Sequence, residues 1–222
     1  MADWPQRANV HITEGYLPIT HCAAWAGACA LPVAWSFRRL DLGAMPQQRR
    51  LVVAAAAGFL FALTALKLPS VAGSSSHPTG IALGTILLGP AAMPVLALLV
   101  LVFQALLLAH GGLTTLGANL FSLGVIGPMV VWLVWKAAGA MRLSEPTSVV
   151  LATMAGSTGT YVAASLQLAL AFPDDAGGVL ASFGRFAGIF AATQIPVAVV
   201  EAFFTLALLR ALHGATRRAV AS

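Results

Sequence analysis

Charged residues are scarce in this sequence of 222 residues. Lysine, arginine, aspartate and glutamate together make up 9% of the chain, while 59% of its residues are hydrophobic. A soluble domain carries about 25% charged residues, so this composition excludes an ordinary soluble domain and predicts an integral membrane protein. The hydrophobic runs are long and uncharged, which is typical of transmembrane helices rather than of a β-barrel.

Cysteines and enzyme motifs are equally scarce. The two cysteines, Cys22 and Cys29, both lie inside the first hydrophobic run, so we expect small packing residues and no disulfide framework. The sequence contains no P-loop, which means that the chain is not expected to hydrolyse ATP itself. It also contains no Gly-x-Ser-x-Gly motif of the kind that serine hydrolases use.

The net charge of +5 is positive, but its distribution follows the hydrophobic runs and therefore indicates membrane topology, with no nucleic acid as partner. Nine basic residues follow alternate runs: Arg38, Arg39, Arg49, Arg50, Lys136, Arg142, Arg210, Arg217 and Arg218. Three lie on the other side of the membrane: Arg7, Lys67 and Arg185. This bias predicts a multi-pass protein of the bacterial cytoplasmic membrane, with the N-terminus outside and the C-terminus inside.

The runs predict an all-α bundle of about seven transmembrane helices, one of them short or broken, and no separate soluble domain. They cover about residues 16–37, 51–66, 81–88, 92–109, 117–135, 147–172 and 180–209. Topology requires residues 81–109 to enter and return on one side. Gly89-Pro90 divides that stretch, and its first arm is too short to cross a hydrocarbon core of about 30 Å. Discontinuous helices of this type are common at transporter binding sites.

A polar island, residues 74–80 with the sequence SSSHPTG, precedes this short helix. Polar groups at membrane depth are tolerated where protein or a water-filled cavity covers them. A further histidine, His11, lies just before the first run on the same predicted side as His77. Two imidazoles among so few ionisable groups predict a metal site. The alternative is a pair of interfacial histidines that bond to backbone carbonyls.

Several other residues are candidates for supporting contacts. The loop from His110 to Asn119 contains glycines that permit tight turns, and it is either a lid over the histidine site or an ordinary interhelical turn. Glu14 follows His11 by three residues and is a candidate for neutralising a cation or orienting an imidazole. Ser75 and Ser76 are weaker candidates for such contacts.

Two further interpretations concern single residues within or beside the runs. Glu201 is the one acid well inside a run, and its separation from Arg210 along a helix favours a snorkelling pair or a partner contact over metal binding. An intramembrane serine hydrolase with His77 as base would use Ser75 or Ser76. Adjacent residues seldom point at each other, so this alternative is disfavoured.

Three ordered motifs make the sequence resemble a known family. They are residues 11–18 (HITEGYLP), residues 75–80 (SSHPTG) leading to 84–90 (GTILLGP), and residues 104–119 (QALLLAHGGLTTLGAN). Together they resemble the CbiM family, the substrate-binding membrane subunits of energy-coupling-factor transporters for cobalt. Close relatives are the NikM subunits for nickel. The similarity runs from about residue 10 to the end, which predicts a single CbiM-like domain over residues 10–222.

The resemblance implies a metal ion held by four nitrogens. Two come from imidazoles at His11 and His77, and two come from the amine of the mature N-terminus and the next backbone nitrogen. Residues 1–9 precede Val10-His11 in this sequence and form an N-terminal extension. We hypothesise that the mature chain begins at residue 10, either because translation starts at a GUG codon there or because the extension is removed. Val10 would then supply the amine.

The resemblance also implies the function and the partners. The transported substrate would be Co(II) for cobalamin biosynthesis, with Ni(II) as the alternative, and no cofactor is expected. The partners would be a CbiQ-like coupling membrane protein, a CbiO-like ATPase pair and a small CbiN-like membrane protein, within a lipid membrane. The chain itself would not be an enzyme. A purely structural subunit that binds no metal is a further alternative.

Overall fold

A computed structural model describes residues 11–41, 43–69 and 75–221, with side chains for all of these except Pro69, Ser75 and residues 213–221. Within the described residues the chain forms seven helices. These are α1 (Ile19–Arg39), α2 (Gln47–Ala65), α3 (Ile81–Leu88), α4 (Pro90–Leu108), α5 (Leu116–Ala140), α6 (Glu145–Ala171) and α7 (Gly178–Ala221). Two short strands, β1 (Leu68–Pro69) and β2 (Ser75–Ser76), form an antiparallel pair between α2 and α3.

The prediction of a helical membrane protein with one short helix is confirmed. Within the described residues, α2, α4, α5, α6 and α7 are long and apolar enough to cross a membrane. Helix α1 has 21 residues, which is also sufficient length for a span. The orientation of the termini stays a prediction.

The break between α3 and α4 follows the sequence closely. Helix α3 has eight residues, a length of about 12 Å, and so does not cross a bilayer. Gly89 ends it at φ 84°, a backbone conformation that favours glycine. Pro90 then begins α4 in a 3₁₀ turn, Pro90–Ala92, where its missing N–H is not needed. The predicted short helix and its break at Gly89-Pro90 are therefore confirmed, while the entry and return of this segment on one side of the membrane stays a prediction.

Small residues allow α1 and α5 to approach closely. A Cβ atom placed on Gly117 of α5 would lie 2.5 Å from the Cα of Ala26 in α1. The Cys29 thiol donates to the Gly117 carbonyl at 3.2 Å. Both cysteines are buried and free, so their interpretation as packing residues is confirmed.

The connections fall into two groups because successive helices alternate in direction. We call one group the histidine end; among the described residues it consists of residues 11–18, 66–69, 75–80, 109–115 and 172–177. The opposite end consists, within the same described part of the chain, of residues 40–41, 43–46 and 141–144. A hydrophobic cluster lies beneath the histidine end and includes Ile12, Tyr161, Phe186 and Phe190.

Candidate metal centre

Three histidines from three separate connections meet at the histidine end. The ring centroids of His11 and His77 are 4.4 Å apart, those of His11 and His110 are 4.5 Å apart, and those of His77 and His110 are 5.3 Å apart. All three side chains are buried, with exposed fractions of 3%, 1% and 4%. One ring nitrogen from each lies within 4.8 Å of the other two, a separation that a shared metal ion can bridge.

Four ring nitrogens of the cluster are buried and have no hydrogen-bond partner among the described residues. They are both ring nitrogens of His11, Nε2 of His77 and Nε2 of His110. Buried polar atoms of this kind are costly unless they are satisfied. An arrangement of unpartnered imidazole nitrogens is what a metal-binding site presents before a cation enters it.

Burial keeps these imidazoles neutral. Loss of solvation lowers the pKa of His77 to about 4 and that of His110 to about 3. Burial, and then the neighbouring His77, hold the pKa of His11 well below its ordinary value. Neutral imidazoles carry the free lone pairs that a metal requires.

The tautomer of His77 is fixed by its neighbour. Its Nδ1 lies 2.8 Å from the carbonyl oxygen of Pro78, and because a carbonyl only accepts hydrogen bonds, Nδ1 carries the proton. Nε2 is then left with its lone pair directed into the cluster. Metal-bound histidines are usually held by such a contact on the other ring nitrogen.

An amide clamp positions His11 through the next residue. The Asn119 side chain accepts a hydrogen bond from the Ile12 backbone N–H at 2.8 Å and donates to the Ile12 carbonyl at 3.0 Å. The Thr115 hydroxyl donates to the same carbonyl at 2.7 Å. The N-terminal segment is thereby attached to the start of α5.

The last two helices hold the backbone of His77. The Tyr161 hydroxyl, in α6, donates to the His77 carbonyl at 2.5 Å. The hydroxyls of Ser76 and Thr193, the latter in α7, lie 2.7 Å apart. Tyr161 precedes the end of α6 by ten residues, so its backbone lies about 15 Å along the helix from that end.

Glu201 also contacts this loop, which corrects the expectation of a snorkelling pair or a partner contact. Its side chain is 1% exposed and accepts hydrogen bonds from the backbone N–H groups of Thr79 and Gly80, each at 2.8 Å. The Thr79 hydroxyl donates to it at 2.7 Å. Spacing along α7 suggested Arg210, but the donors come from residues more than 120 positions earlier in the chain.

The loop that carries His110 is shaped by unusual backbone angles. Ala109 and Gly111, on either side of His110, have φ angles of 46° and 79°. The His110 N–H donates to the carbonyl of Gln104 at 3.1 Å. The Gln104 side chain in turn donates to the Thr64 hydroxyl of α2 at 2.6 Å. This end of α4 is therefore fixed on both sides.

Glu14 lies at the exposed rim above the cluster. Its carboxylate accepts a hydrogen bond from the Thr114 backbone N–H at 3.1 Å, and hydrogen bonding from Thr114 lowers the pKa of this carboxyl group. A Cβ atom on Gly112 would lie 2.7 Å from the Glu14 backbone nitrogen, so the two segments are in close contact. Glu14 holds the His110 loop against the His11 segment.

The structure brings His11 and His77 together as the sequence suggested, and it adds His110 as a third ring of the same cluster. Asn119 contacts Ile12, the residue that follows His11.

The alternative of a serine hydrolase is not supported by the contacts of these residues. The Ser76 hydroxyl pairs with Thr193 and the His77 imidazole with Pro78, so the serine–histidine pair of a hydrolase is not formed. Val10 and the extension lie outside the described residues, as does the Ser75 side chain. Reasoning from sequence missed Tyr161 and Thr193, which are ordinary helix residues without a local signal.

Comparisons with known proteins agree with these features. A family model, CbiM, described as a cobalt uptake substrate-specific transmembrane region, matches residues 11–219. The cobalt transport protein CbiM of Kyrpidia tusciae is 50% identical over 202 residues, which cover 90% of this chain and 82% of that protein. The cobalt transport protein CbiM of a Roseiflexus species is 51% identical over 211 residues, which cover 92% and 82%. A crystal structure of a truncated transition metal transporter has the same fold, with a TM-score of 0.79, 24% identity, and coverage of 92% of this chain and 98% of that one.

Proposed function

Because this chain belongs to the CbiM family, we propose that it is the substrate-binding membrane subunit of an ATP-driven, energy-coupling-factor importer of Co(II). The family is one of membrane transport proteins, so the chain is a multi-pass transport protein and not an enzyme. The cluster of His11, His77 and His110 is the observation that supports the proposal best. Its four unpartnered ring nitrogens are buried, and a metal ion is a partner that can satisfy several of them at once.

The proposed ligands are His11 and His77, with His110 as a third imidazole within reach. Val10 belongs to the same proposal, since the amine of a chain that began there would complete a set of nitrogen ligands. Imidazole and amine nitrogens bind Ni(II) more tightly than Co(II) in the general order of divalent metals. Selectivity for cobalt would then depend on site geometry and metal supply, and Ni(II) is the alternative substrate. Glu14, Ser76 and Asn119 are proposed to support the site through the segments that they hold.

The mature N-terminus is a separate part of the proposal with its own measurement. We expect the intact mass of protein purified from membranes to correspond to a chain that begins at residue 10. A mature chain that keeps residues 1–9 would remove the amine ligand, and the imidazoles would have to suffice.

The proposed partners follow from the family and from what the sequence lacks. With no P-loop, energy must come from a CbiO-like ATPase pair, coupled through a CbiQ-like membrane protein, with a small CbiN-like protein as accessory subunit. We propose that the complex lies in the bacterial cytoplasmic membrane, with the histidine end outside, and that it supplies cobalt for cobalamin biosynthesis. Arg142 at the opposite end, and Arg38, Arg39, Arg49 and Arg50 in the helix ends beside it, suit the cytoplasmic side.

The proposal is tested by metal binding to the purified full chain in detergent. Co(II) affinity is measured by calorimetry for the wild type, for His77→Ala and for His21→Ala. His21 lies in α1 outside the cluster, so its replacement controls for the loss of a histidine. We expect His77→Ala to abolish Co(II) binding and His21→Ala to retain it, and competition with Ni(II) ranks the two metals. A wild type that binds neither metal, or a His77→Ala variant with full affinity, would refute the proposal and favour a structural subunit.

A further inference from the structure

Glu201 is an acid buried in the span of α7 with a set of specific partners. Its two oxygens accept three hydrogen bonds from two consecutive residues, Thr79 and Gly80. Among the described residues no lysine or arginine forms an ion pair with Glu201; the ion pair found there joins Arg185 and Asp174. A buried carboxylate without a cation is costly, so the hydrogen bonds from the Thr79-Gly80 backbone are its main compensation.

One peptide group connects this carboxylate to the histidine cluster. The Pro78 carbonyl and the Thr79 N–H belong to the same peptide unit. The carbonyl oxygen accepts a hydrogen bond from Nδ1–H of His77 at 2.8 Å. The N–H donates a hydrogen bond to Glu201 Oε2, also at 2.8 Å. The carboxylate, the peptide and the imidazole therefore form a continuous hydrogen-bonded chain that ends at the unpartnered Nε2 of His77.

We propose that Glu201 is a positioning residue for the metal site, acting on His77 through the Pro78–Thr79 peptide group. The inference rests on the proposed function, because it takes His77 to be a metal ligand. Hydrogen bonds in a chain polarise one another, so a carboxylate on the N–H makes the carbonyl a stronger acceptor for Nδ1–H. This increases the electron density available at Nε2 and fixes its direction. In many metal sites a carboxylate contacts the histidine directly for the same purpose.

The backbone around this peptide has little freedom to adopt another position. Gly80 has φ 68°, and a Cβ atom there would lie 3.1 Å from the Cα of Leu60 in α2. Tyr161 holds the His77 carbonyl on the preceding peptide. The Pro78–Thr79 unit is thus confined between α2, α6 and α7, and Glu201 supplies the contact to its N–H.

The experiment compares Glu201→Gln with two matched variants in the full chain. Glutamine keeps the size of the side chain but removes the charge and places an amide NH₂ where one oxygen accepted a hydrogen bond. Thr79→Val removes the hydroxyl contact to Glu201 but keeps the Thr79 N–H in the chain. Thr205→Val removes a buried hydroxyl of α7 that has no hydrogen-bond partner. Each variant is measured for Co(II) affinity, for the visible ligand-field spectrum of bound Co(II), and for melting temperature without metal.

We expect Glu201→Gln to weaken Co(II) binding by about 10- to 100-fold, the range found when outer contacts of metal ligands are lost, and to shift the ligand-field bands. Thr79→Val is expected to lose less affinity, and Thr205→Val none, with the wild-type spectrum. If the melting temperature falls equally in Glu201→Gln and Thr205→Val but only Glu201→Gln loses Co(II) affinity, the loss of affinity comes from the positioning of His77 and not from lower stability.

The proposal is overturned if folded Glu201→Gln keeps the affinity and the spectrum of the wild type. Should that variant fail to fold, Glu201→Asp takes its place. Aspartate keeps the charge but is one methylene too short for the same contacts, so unchanged affinity and spectrum there overturn the proposal as well. If wild-type protein binds Co(II) and His77→Ala does not, while Glu201→Gln is unaffected, the proposed function stands and this inference alone fails.

Discussion

The histidine end and the opposite end of this bundle are held together in different ways. At the histidine end the segments that carry His11 and His77 are held by hydrogen bonds between residues far apart in sequence: 107 positions for Ile12 and Asn119, and 122 for Thr79 and Glu201. Within the described connections of the opposite end, the side-chain hydrogen bonds of Asp41 and Ser144 are local. The Asp41 side chain accepts from a residue three positions away, and Ser144 caps α6 through Thr147, also three positions away.

This difference reflects what each end has to accomplish. A metal site needs several nitrogens at fixed positions, and groups from three connections stay fixed when neighbouring helices hold them. The opposite end needs to reverse the chain and to present basic residues, for which short local turns suffice. The long-range hydrogen bonds of the histidine end therefore lie where the proposed metal site needs fixed positions.

Among the changes that compare the two ends, we expect the largest loss of Co(II) affinity when Asn119, at the histidine end, is replaced. Asn119→Leu keeps the size of the side chain but leaves the Ile12 N–H, which the amide clamp had satisfied, without its acceptor. An unsatisfied buried donor costs about 1–3 kcal/mol, and the His11 segment loses its attachment. We expect Co(II) affinity, measured by calorimetry, to fall about 10- to 100-fold.

The matched control for this prediction is Ser144→Ala at the opposite end. It removes the cap at the start of α6, which costs about 0.5–2 kcal/mol of stability. Because all contacts of this cap are local, we expect the melting temperature to fall while Co(II) affinity stays unchanged. An equal loss of affinity in both variants would contradict the comparison between the two ends.

The helices were largely predictable from sequence, because hydrophobic length and Gly-Pro breaks are local properties. The break at Gly89-Pro90 predicted the short helix α3, which ends at that glycine. The association of His11 with His77 was also predictable, because both lie in polar segments on the same predicted side of the membrane. These inferences needed no knowledge of which helices are neighbours.

The supporting contacts were not predictable for the opposite reason. The interpretation of Glu201 used its distance from Arg210 along one helix, whereas its partners lie on a loop 122 positions away. Tyr161 and Thr193 have no distinguishing local signal, and their hydroxyls matter through the loop that they contact. His110 was assigned to a possible lid because its loop is rich in glycine, although its ring joins the other two.

A smaller effect is expected from the packing that holds α1 against α5. Gly117→Ala places a methyl group 2.5 Å from the Ala26 backbone, and overpacking of this kind costs about 1–3 kcal/mol. Since Asn119 follows on the same helix, we expect a lower melting temperature together with a modest loss of Co(II) affinity. The control is Gly139→Ala at the other end of α5, where a Cβ atom meets nothing within 4 Å. A melting temperature lowered equally in both variants would show that the close approach is unimportant.

The smallest effect on Co(II) affinity is expected from a change at Asp174. This residue tests whether location at the histidine end is sufficient to influence the proposed metal site, or whether a long-range hydrogen bond is needed. Asp174 lies at that end, but its partners are Ala176, Gly177 and Arg185, at most 11 positions away. Hydrogen bonds from Gly177 and Ala176, together with Arg185, lower the pKa of its exposed carboxyl group below the usual 3.8. We expect the influence of a residue on the proposed metal site to depend on whether its hydrogen bonds are long-range, and not on which end of the bundle it occupies.

Asp174→Asn keeps an oxygen that accepts from the turn but removes the charge that pairs with Arg185. Because the pKa of Asp174 is lower in the folded state, its charge stabilises the fold above the usual pKa of 3.8. That contribution is lost as the pH falls through the folded value. The wild type should therefore melt slightly above Asp174→Asn at neutral pH, and the difference should vanish in acid and diminish with salt. Co(II) affinity should be equal in the two proteins at neutral pH, since the hydrogen bonds of Asp174 within the described part of the chain go to residues 176–178 and Arg185.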